Sequence, residues 1–183
     1  MKLPEKTIDS IQHLFSVTSS SEKRITYGDY PEKIKSKEIS IGMFPPEVNT
    51  VLEIGGDKSS TEIMAKHGIK STAFGLHIDG EQDMHTMDVD GKYDGVYARH
   101  VLEHSVFPAL AMYNIHRAVR GGGWVIIVLP TPESEFCLNF PNHFSVMFKE
   151  QWVKIFTIVG FKLMDTVRRE WADSHEYIFL LKK

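Results

Sequence analysis

The order of hydrophobic and polar positions along the chain predicts strands that alternate with helices. Residues 51–54 form a short apolar run that ends in two glycines, and residues 124–129 are almost continuously apolar, as in strands buried on both faces of a sheet. Residues 106–119 and 152–159 carry apolar side chains at helical spacing. Two β-rich runs, 161–167 and 177–181, close the chain. This alternation predicts an α/β fold with a largely parallel central sheet.

One connection, between the candidate strands at residues 71–76 and 93–97, is shorter than a regular α/β pattern needs. Apolar positions around Ile63 and Met64 predict a helix, and residues 71–76 and 93–97 are candidate strands. The connection from Leu76 to Met87 is too short for a crossover helix, which needs a dozen residues or more. Any additional strand in this connection is therefore expected to be rudimentary.

The first 48 residues form a region of their own in the sequence. Apolar positions recur at helical spacing over residues 4–17, which predicts an N-terminal helix. Residues 18–46 are polar and interrupted by glycine and proline, which predicts an irregular approach segment that either packs around the first strand or acts as a lid. No repeat or linker marks a second domain. We therefore expect one domain over residues 1–183, with residues 1–48 as its N-terminal helix and approach or lid segment.

Composition narrows the class of protein. The chain of 183 residues is 42% hydrophobic and 25% charged, with a formal net charge of -3, so we expect a globular domain without bulk attraction to nucleic acid. Cys137 is the only cysteine, which excludes an intramolecular disulfide and fits a reducing compartment. No stretch reaches the ~20 apolar residues that a membrane helix needs. The expected location is the cytoplasm, with no membrane association.

The glycine turn after residues 51–54 is a candidate ligand site. Gly55 and Gly56 follow Glu53-Ile54 and precede the predicted helix. Glycines let a backbone approach a ligand closely, and ligands of open α/β sheets bind beyond the carboxyl ends of the strands. A tight turn without a ligand is the alternative. A nicotinamide-dependent dehydrogenase would use similar logic, but the turn lacks a complete G-x-G-x-x-G.

Several motifs in fixed order carry a family resemblance. The stretches concerned are VLEIGG at 51–56, FGLH at 74–77, MDV at 87–89, YDGV at 93–96, HVLEH at 100–104 and RAVRGGGW at 117–124. Their order and spacing resemble class I S-adenosylmethionine-dependent methyltransferases, particularly small-molecule enzymes of the ubiquinone-biosynthesis type. The resemblance implies a three-layer Rossmann-like fold, with a mostly parallel sheet, helices on both faces and an antiparallel last strand.

The resemblance also implies a cofactor, an acceptor and a set of site residues. S-adenosylmethionine would be the methyl donor, S-adenosylhomocysteine the product, and a small molecule the acceptor. Deprotonation of a hydroxyl acceptor would be helped by a general base, for which His100 and His104 are the candidates. The residues implied to bind the cofactor are Glu53, Gly55, Gly56, Asp57, Leu76, His77, Met87, Asp88 and Arg99.

Two residues depart from the family pattern. Asp57 stands where a further glycine is usual, and its charge would disfavour a ligand that carries a carboxylate unless the side chain turns away, for example to cap the next helix. His77 stands where an acidic residue usually accepts from the ribose hydroxyls. The alternative function is therefore a catalytically impaired, methyltransferase-like binding or accessory protein with a degenerate cofactor site.

The histidine-rich segment has several interpretations. HVLEH at 100–104 matches the H-x-x-E-H of one class of zinc peptidase, but its place after a short strand does not favour that class. The segment also resembles relatives that bind a divalent ion through Glu-x-x-Glu-His, with His100 in place of the first glutamate and His143 as a later ligand. The alternative is that Glu103 and His104 cap or line the helix and that His143 is a surface residue. We favour this alternative and predict no metal.

Overall fold

A computed structural model describes residues 30–75, 83–171 and 174–183 of the chain. The helix predicted over residues 4–17 lies outside these ranges, as do Leu76 and His77. In the described part, no helix is long and apolar enough to cross a membrane.

Helices and strands alternate through the described residues. The helices are α1 (Pro31–Ile41), α2 (Lys58–Lys66), α3 (Pro108–Ala118), the single turn α4 (Glu135–Leu138) and α5 (Lys149–Val159), with a 3-10 turn at Leu102–His104. The strands are β1 (Thr50–Ile54), β2 (Lys70–Phe74), β3 (Tyr93–Arg99), β4 (Val119–Pro130), β5 (Lys162–Trp171) and β6 (Ser174–Lys182). Each strand and long helix predicted within the described residues is present, with shifted ends.

The six strands form one mixed sheet in the order β2-β1-β3-β4-β6-β5. The pairs among β1, β2, β3 and β4 are parallel, and β6 runs antiparallel to both β4 and β5. This arrangement confirms the predicted Rossmann-like α/β fold and its antiparallel last strand. Residues 83–92, before β3, contain no helix or strand, and the earlier part of the connection that was predicted to lack a crossover helix lies outside the described residues.

Each face of the sheet has its own hydrophobic core, so the domain has three layers. On one face, residues such as Leu52 and Val96 pack with α3 and α5, whose Ile115 and Trp152 are fully buried. On the other face, Ile41 of α1 joins α2 and the opposite side chains of the same strands. The alternation of side chains along each strand places neighbours in different cores, which is why residues 125–129 of β4 are continuously apolar.

The prediction of an irregular segment over residues 18–46 is wrong for residues 31–41, which form helix α1. Pro31 lies at the first turn of this helix, where its missing N–H costs nothing. The buried stripe of α1 is largely polar, with Ser36, Lys37 and Ser40 beside Ile41. Hydrophobic periodicity therefore did not reveal the helix, because polar partners rather than apolar contacts hold most of its inner face.

The segment after β3 forms a loop before the long helix. Residues 100–104 precede this helix, since α3 begins only at Pro108. His100 has a φ of 52°, a left-handed conformation that is uncommon for residues other than glycine, and only a 3-10 turn follows it. His100 and His104 therefore lie on a shaped loop.

Candidate functional site

The carboxyl ends of the central strands meet at one edge of the sheet. Ile54 of β1 is in register with Ala98 of β3, so the glycine turn after β1 and the loop after β3 are neighbours. Strand β6 enters this edge from the opposite direction and places Glu176 beside Pro130, the last residue of β4. We call this region the carboxyl edge. It is where open α/β sheets bind ligands.

The glycine turn has a conformation that depends on its glycines. Gly55 is exposed, has a φ of +70° and donates its N–H to the Phe74 carbonyl at 2.8 Å. A Cβ at Gly55 would lie 2.6 Å from Cγ2 of Val101, and one at Gly56 would lie 2.5 Å from the Glu53 carboxyl carbon. The turn therefore packs too closely against Val101 and Glu53 to accept side chains at these two positions. Because Gly55 has no side chain, its backbone is exposed at the carboxyl edge.

Glu53 supports this turn from below. Its carboxylate is buried and accepts hydrogen bonds from the hydroxyls of Ser60 and Thr61 at the start of α2. Burial raises the pKa of Glu53, although these two hydroxyl donors oppose the rise. Because both carboxylate oxygens already have partners, the contacts favour a role in which Glu53 holds the turn in place.

Asp57 turns away from the glycine turn, as one of its two predicted arrangements required. Its carboxylate accepts from the Ser60 N–H at 3.0 Å and caps α2, and it pairs with the Lys37 Nζ at 2.6 Å. The Lys37 side chain is only 2% exposed. Partial burial raises the pKa of Asp57, but hydrogen bonds from Lys37, Ser60 and Ser59 outweigh it and hold that pKa below its ordinary value. The negative charge is thus compensated by a buried cation.

Helix α1 contributes polar side chains to three parts of the carboxyl edge. Ser36 donates to Glu176 and Lys37 pairs with Asp57. Ser40 bonds the hydroxyl of the buried Tyr97 at 2.9 Å. The polar stripe of α1 is therefore explained by the site that it contacts. The sequence signal for it was a lysine and two serines at near-helical spacing, which also fits an exposed face.

A buried ionic group lies at the end of β3. The Glu176 carboxylate is 0% exposed and accepts from Arg99 Nη2 and His100 Nε2, both at 2.9 Å, and from Ser36. Burial raises the pKa of Glu176, but the His100 hydrogen bond and the Arg99 charge bring it below its ordinary value. Burial, reinforced by Arg99, lowers the pKa of His100. We therefore take His100 as neutral, with its Nε2–H donated to Glu176 and its lone pair on Nδ1.

Sequence reasoning did not find Glu176. This residue stands just before the apolar run 177–181 and is far from His100 in the chain. Its one signal was a charged residue at the start of a strand that is otherwise buried. The pairing of β6 with β4, which brings Glu176 to the carboxyl edge, is a long-range contact that local patterns do not encode.

A second polar group lies beside the first. Glu103 is 0% exposed, and neither of its carboxylate oxygens has a hydrogen-bond partner. Its donor atoms and those of His104 and His143 all lie within 4.8 Å of one another. Burial raises the pKa of Glu103 to about 8, and burial lowers the pKa of His143 to about 4. The structure thus brings His143 to the loop after β3.

The other predicted cofactor-binding residues lie in different surroundings. The Met87 side chain is buried in the hydrophobic core. Asp88 is 90% exposed and lies 3.3 Å from Arg117 Nη2. Arg99 is turned towards Glu176, so its nearest partner is a carboxylate of the protein. The backbone beside Met87 and the Asp88 side chain remain the parts of this segment open to a ligand.

A comparison with protein families gives a match over most of the chain. The model of a family described as a methyltransferase domain matches residues 29–173, which include every described strand except the last. No curated protein matches the sequence.

Solved structures with the same fold are numerous and distant in sequence. The Burkholderia thailandensis 1,6-didemethyltoxoflavin-N1-methyltransferase, crystallised with 1,6-didemethyltoxoflavin and S-adenosylhomocysteine, is 14% identical, with a TM-score of 0.72 over 100% of this chain and 92% of its own. The N-methyltransferase NodS from Bradyrhizobium japonicum, with S-adenosyl-l-homocysteine, is 15% identical, with a TM-score of 0.68 over 94% and 97%. An Archaeoglobus fulgidus SAM-dependent methyltransferase is 17% identical, with a TM-score of 0.67 over 94% and 99%. At these identities, the similarity shows the fold.

Proposed function

The chain belongs to the methyltransferase-domain family, and we propose that it transfers a methyl group from S-adenosylmethionine to a small-molecule acceptor. The observation that carries this proposal is the exposed glycine turn at the carboxyl edge, directly beside a loop that carries two histidines. The small-molecule acceptor is supported by structural relatives with methyltransferase names and by the net charge of -3, which does not favour a polyanionic substrate.

The residues of the glycine turn fit the proposed cofactor. Gly55 offers backbone without a side chain, and the N-terminus of α2 lies two residues beyond Gly56. Asp57 argued against a ligand that carries a carboxylate, but its side chain caps α2 and is paired with Lys37. Of the two residues that suggested a catalytically impaired protein with a degenerate cofactor site, only His77 still supports that alternative.

His100 is the better placed of the two predicted bases. Glu176 accepts from Nε2 and so fixes the ring and its tautomer, which leaves Nδ1 to accept a proton. The pKa of His100 is lowered by its burial, which keeps the imidazole neutral near pH 7. His104 instead has its Nδ1 beside the Asn142 carbonyl and its ring against His143. We assign the base to His100 and treat Glu176 as its positioning residue.

Bound S-adenosylmethionine would supply an electrophilic methyl group. Transfer would break the bond between sulfur and the methyl carbon, form a bond from that carbon to the acceptor oxygen or nitrogen, and release S-adenosylhomocysteine. His100 would take up the acceptor's proton at Nδ1. The glycine turn and the loop after β3 would hold the two reactants at adjacent positions, and such positioning is a large part of the acceleration of reactions between two bound molecules.

A methyl-transfer assay tests this function. Purified chain is incubated with S-adenosylmethionine labelled in its methyl group and a panel of small hydroxyl and amine compounds, and labelled product is counted. We expect His100→Asn to lower turnover by about a hundredfold or more, which is typical of loss of a general base. The exposed His67, replaced in the same way, is the control. Unchanged turnover in folded His100→Asn would remove the base assignment, and the same assay on His104→Ala tests the second candidate.

A further inference from the structure

The segment that leads into β3 is held by buried side chains rather than by secondary structure. Residues 83–92 contain no helix or strand. Within them, the buried His85 and Met87 alternate with the exposed Thr86 and Asp88. Two inward side chains therefore anchor the segment, and the two outward ones face solvent.

His85 joins this segment to the loop after β3. Its Nδ1 lies 2.5 Å from Asp83 Oδ1, and its Nε2 forms a hydrogen bond of 2.6 Å with Ser105 Oγ. Burial raises the pKa of Asp83, but hydrogen bonds from the His85 ring and N–H bring it below its ordinary value, so this carboxylate accepts and Nδ1 carries the hydrogen. Ser105 Oγ also accepts from the Phe107 N–H at 3.0 Å, and the Ser105 carbonyl accepts from the Ser145 hydroxyl at 2.7 Å. The ring is thus connected to two loops of the carboxyl edge.

The order of these contacts is that of a hydrolase triad, but the burial excludes that role. Asp83, His85 and Ser105 follow one another as acid, base and hydroxyl. The Ser105 side chain is fully buried, so a substrate carbonyl has no approach to its oxygen. The three residues therefore hold backbone segments together.

Asn114 of α3 holds the same segment. Its buried side-chain amide donates to the carbonyls of Met84 at 3.0 Å and His85 at 2.8 Å. Both amide hydrogens are used on consecutive carbonyls, which fixes the direction of the backbone there. His85 and Asn114 thus supply the anchoring that a helix or strand would otherwise give to this segment.

The segment lies on the opposite face of the sheet from α2. Met84 and Met87 pack in the core that contains α3, whereas Ile63 and Met64 of α2 belong to the core of the other face. S-adenosylmethionine has a carboxylate at one end and an uncharged aromatic base at the other. The carboxylate suits the N-terminus of α2, directly after the glycine turn. The base is then left to the other face, where residues 84–88 offer backbone and polarisable thioether side chains.

From these contacts we propose that His85 and Asn114 are positioning residues that hold residues 84–88 as the surface on which the base of the cofactor lies. This inference rests on the proposed function, because it requires S-adenosylmethionine at the glycine turn. Both side chains are buried behind the segment and act through it, whereas Asp88 on its outer side is a candidate for direct contact. The Ser105 hydroxyl keeps this surface in a fixed relation to the loop after β3.

Binding of two ligands that differ only in the base tests the proposal. S-adenosylhomocysteine is titrated by calorimetry, and S-ribosylhomocysteine, which lacks the base, by nuclear magnetic resonance, which measures millimolar affinities. His85→Phe and Asn114→Leu should each bind S-adenosylhomocysteine about tenfold more weakly or worse, as for loss of one or two hydrogen bonds. Their affinity for S-ribosylhomocysteine should stay within about twofold of wild type, because this ligand does not reach the segment. His116→Phe, a matched change at a histidine that packs on Phe161, should bind both ligands as wild type does.

The outcomes separate this proposal from the methyltransferase assignment. Circular dichroism establishes which variants are folded. Unchanged S-adenosylhomocysteine affinity in the folded variants, or equal losses for the two ligands, would overturn the positioning role and leave the cofactor site in place. Hydrogen exchange of wild type is a second test that needs no variant: S-adenosylhomocysteine should slow amide exchange over residues 84–88, and unchanged exchange there would overturn the proposal. Absence of S-adenosylhomocysteine binding to folded wild type would contradict the proposed function itself, and this inference with it.

Discussion

Two glutamates at the carboxyl edge are equally buried and differ in what surrounds them. Glu176 accepts hydrogen bonds from Arg99, His100 and Ser36, whereas neither carboxylate oxygen of Glu103 has a hydrogen-bond partner. The pKa of Glu176 lies below its ordinary value despite burial, whereas burial raises that of Glu103 to about 8. At equal burial, the hydrogen-bond and charge partners of each carboxylate therefore determine whether it is held as an anion. Glu176 is a compensated anion that positions other groups, and Glu103 requires a proton or a cation.

The largest difference is expected from the same substitution at both positions. Glu176→Gln leaves the Arg99 guanidinium buried without its counter-charge, which typically costs about 3–5 kcal/mol. Glu103→Gln in metal-free protein replaces one neutral buried group with another at pH 7, so the free energy of unfolding should change by less than about 1 kcal/mol. Urea denaturation of both variants beside wild type measures the two values.

The dependence of stability on pH provides a second test of the difference between Glu176 and Glu103. The folded-state pKa of Glu176 lies below the ordinary value of 4.5, so its contribution to stability is present above that value and is lost as the pH falls through the folded pKa. Wild-type stability should therefore decrease on the acid side, and Glu176→Gln should flatten this decrease. Equal losses of stability for the two glutamine variants would contradict the comparison.

A smaller effect, on cofactor affinity, is expected at the glycine turn, where Lys37 compensates the charge of Asp57. Lys37→Met removes the buried cation beside Asp57 and leaves an uncompensated negative charge near the proposed carboxylate of the cofactor. We expect S-adenosylhomocysteine affinity to fall about tenfold, as for one close charge interaction at a partly exposed site. Asp57→Asn in the Lys37→Met background should restore most of the affinity. Calorimetry on the two single variants and the double variant measures this, and additive losses would contradict charge compensation.

Local sequence patterns predicted the elements whose side chains pack in the hydrophobic core, and missed the helix that is held by contacts with residues far away in the sequence. The apolar run 124–129 predicted β4 because both faces of that strand are buried, and helical spacing over residues 152–159 predicted α5 because its apolar side chains face the core. Helix α1 was missed because its inner side chains are held by polar partners from distant elements.

The candidate site shows the same limit. The identities of His100, Glu103 and His104 were visible in the sequence, but their protonation and partners were not. These properties depend on Glu176 from β6 and on backbone hydrogen bonds from residues 144 and 145. A motif therefore locates the groups that carry chemistry, and contacts across the sheet determine what each can do.

The smallest effect is expected at Asp88. This side chain is 90% exposed and pairs with Arg117 on the surface, so Asp88→Asn should leave thermal unfolding unchanged. If Asp88 lies beside the adenine, as the resemblance implied, the substitution should weaken S-adenosylhomocysteine binding about threefold, as for one exposed hydrogen bond. Thermal unfolding and calorimetry on one sample separate the two effects. Unchanged affinity would remove Asp88 from the cofactor site.

The most direct test of the central claim is S-adenosylhomocysteine binding, measured by calorimetry on wild type, Gly55→Arg and Gly68→Arg. Both glycines have positive φ, but a Cβ at Gly55 would meet Val101, whereas none of the described atoms lies within 4 Å of one at Gly68. We expect saturable one-to-one binding by wild type and Gly68→Arg, and none by Gly55→Arg. Absence of binding by folded wild type, or unchanged affinity in Gly55→Arg, would contradict a cofactor site at the glycine turn.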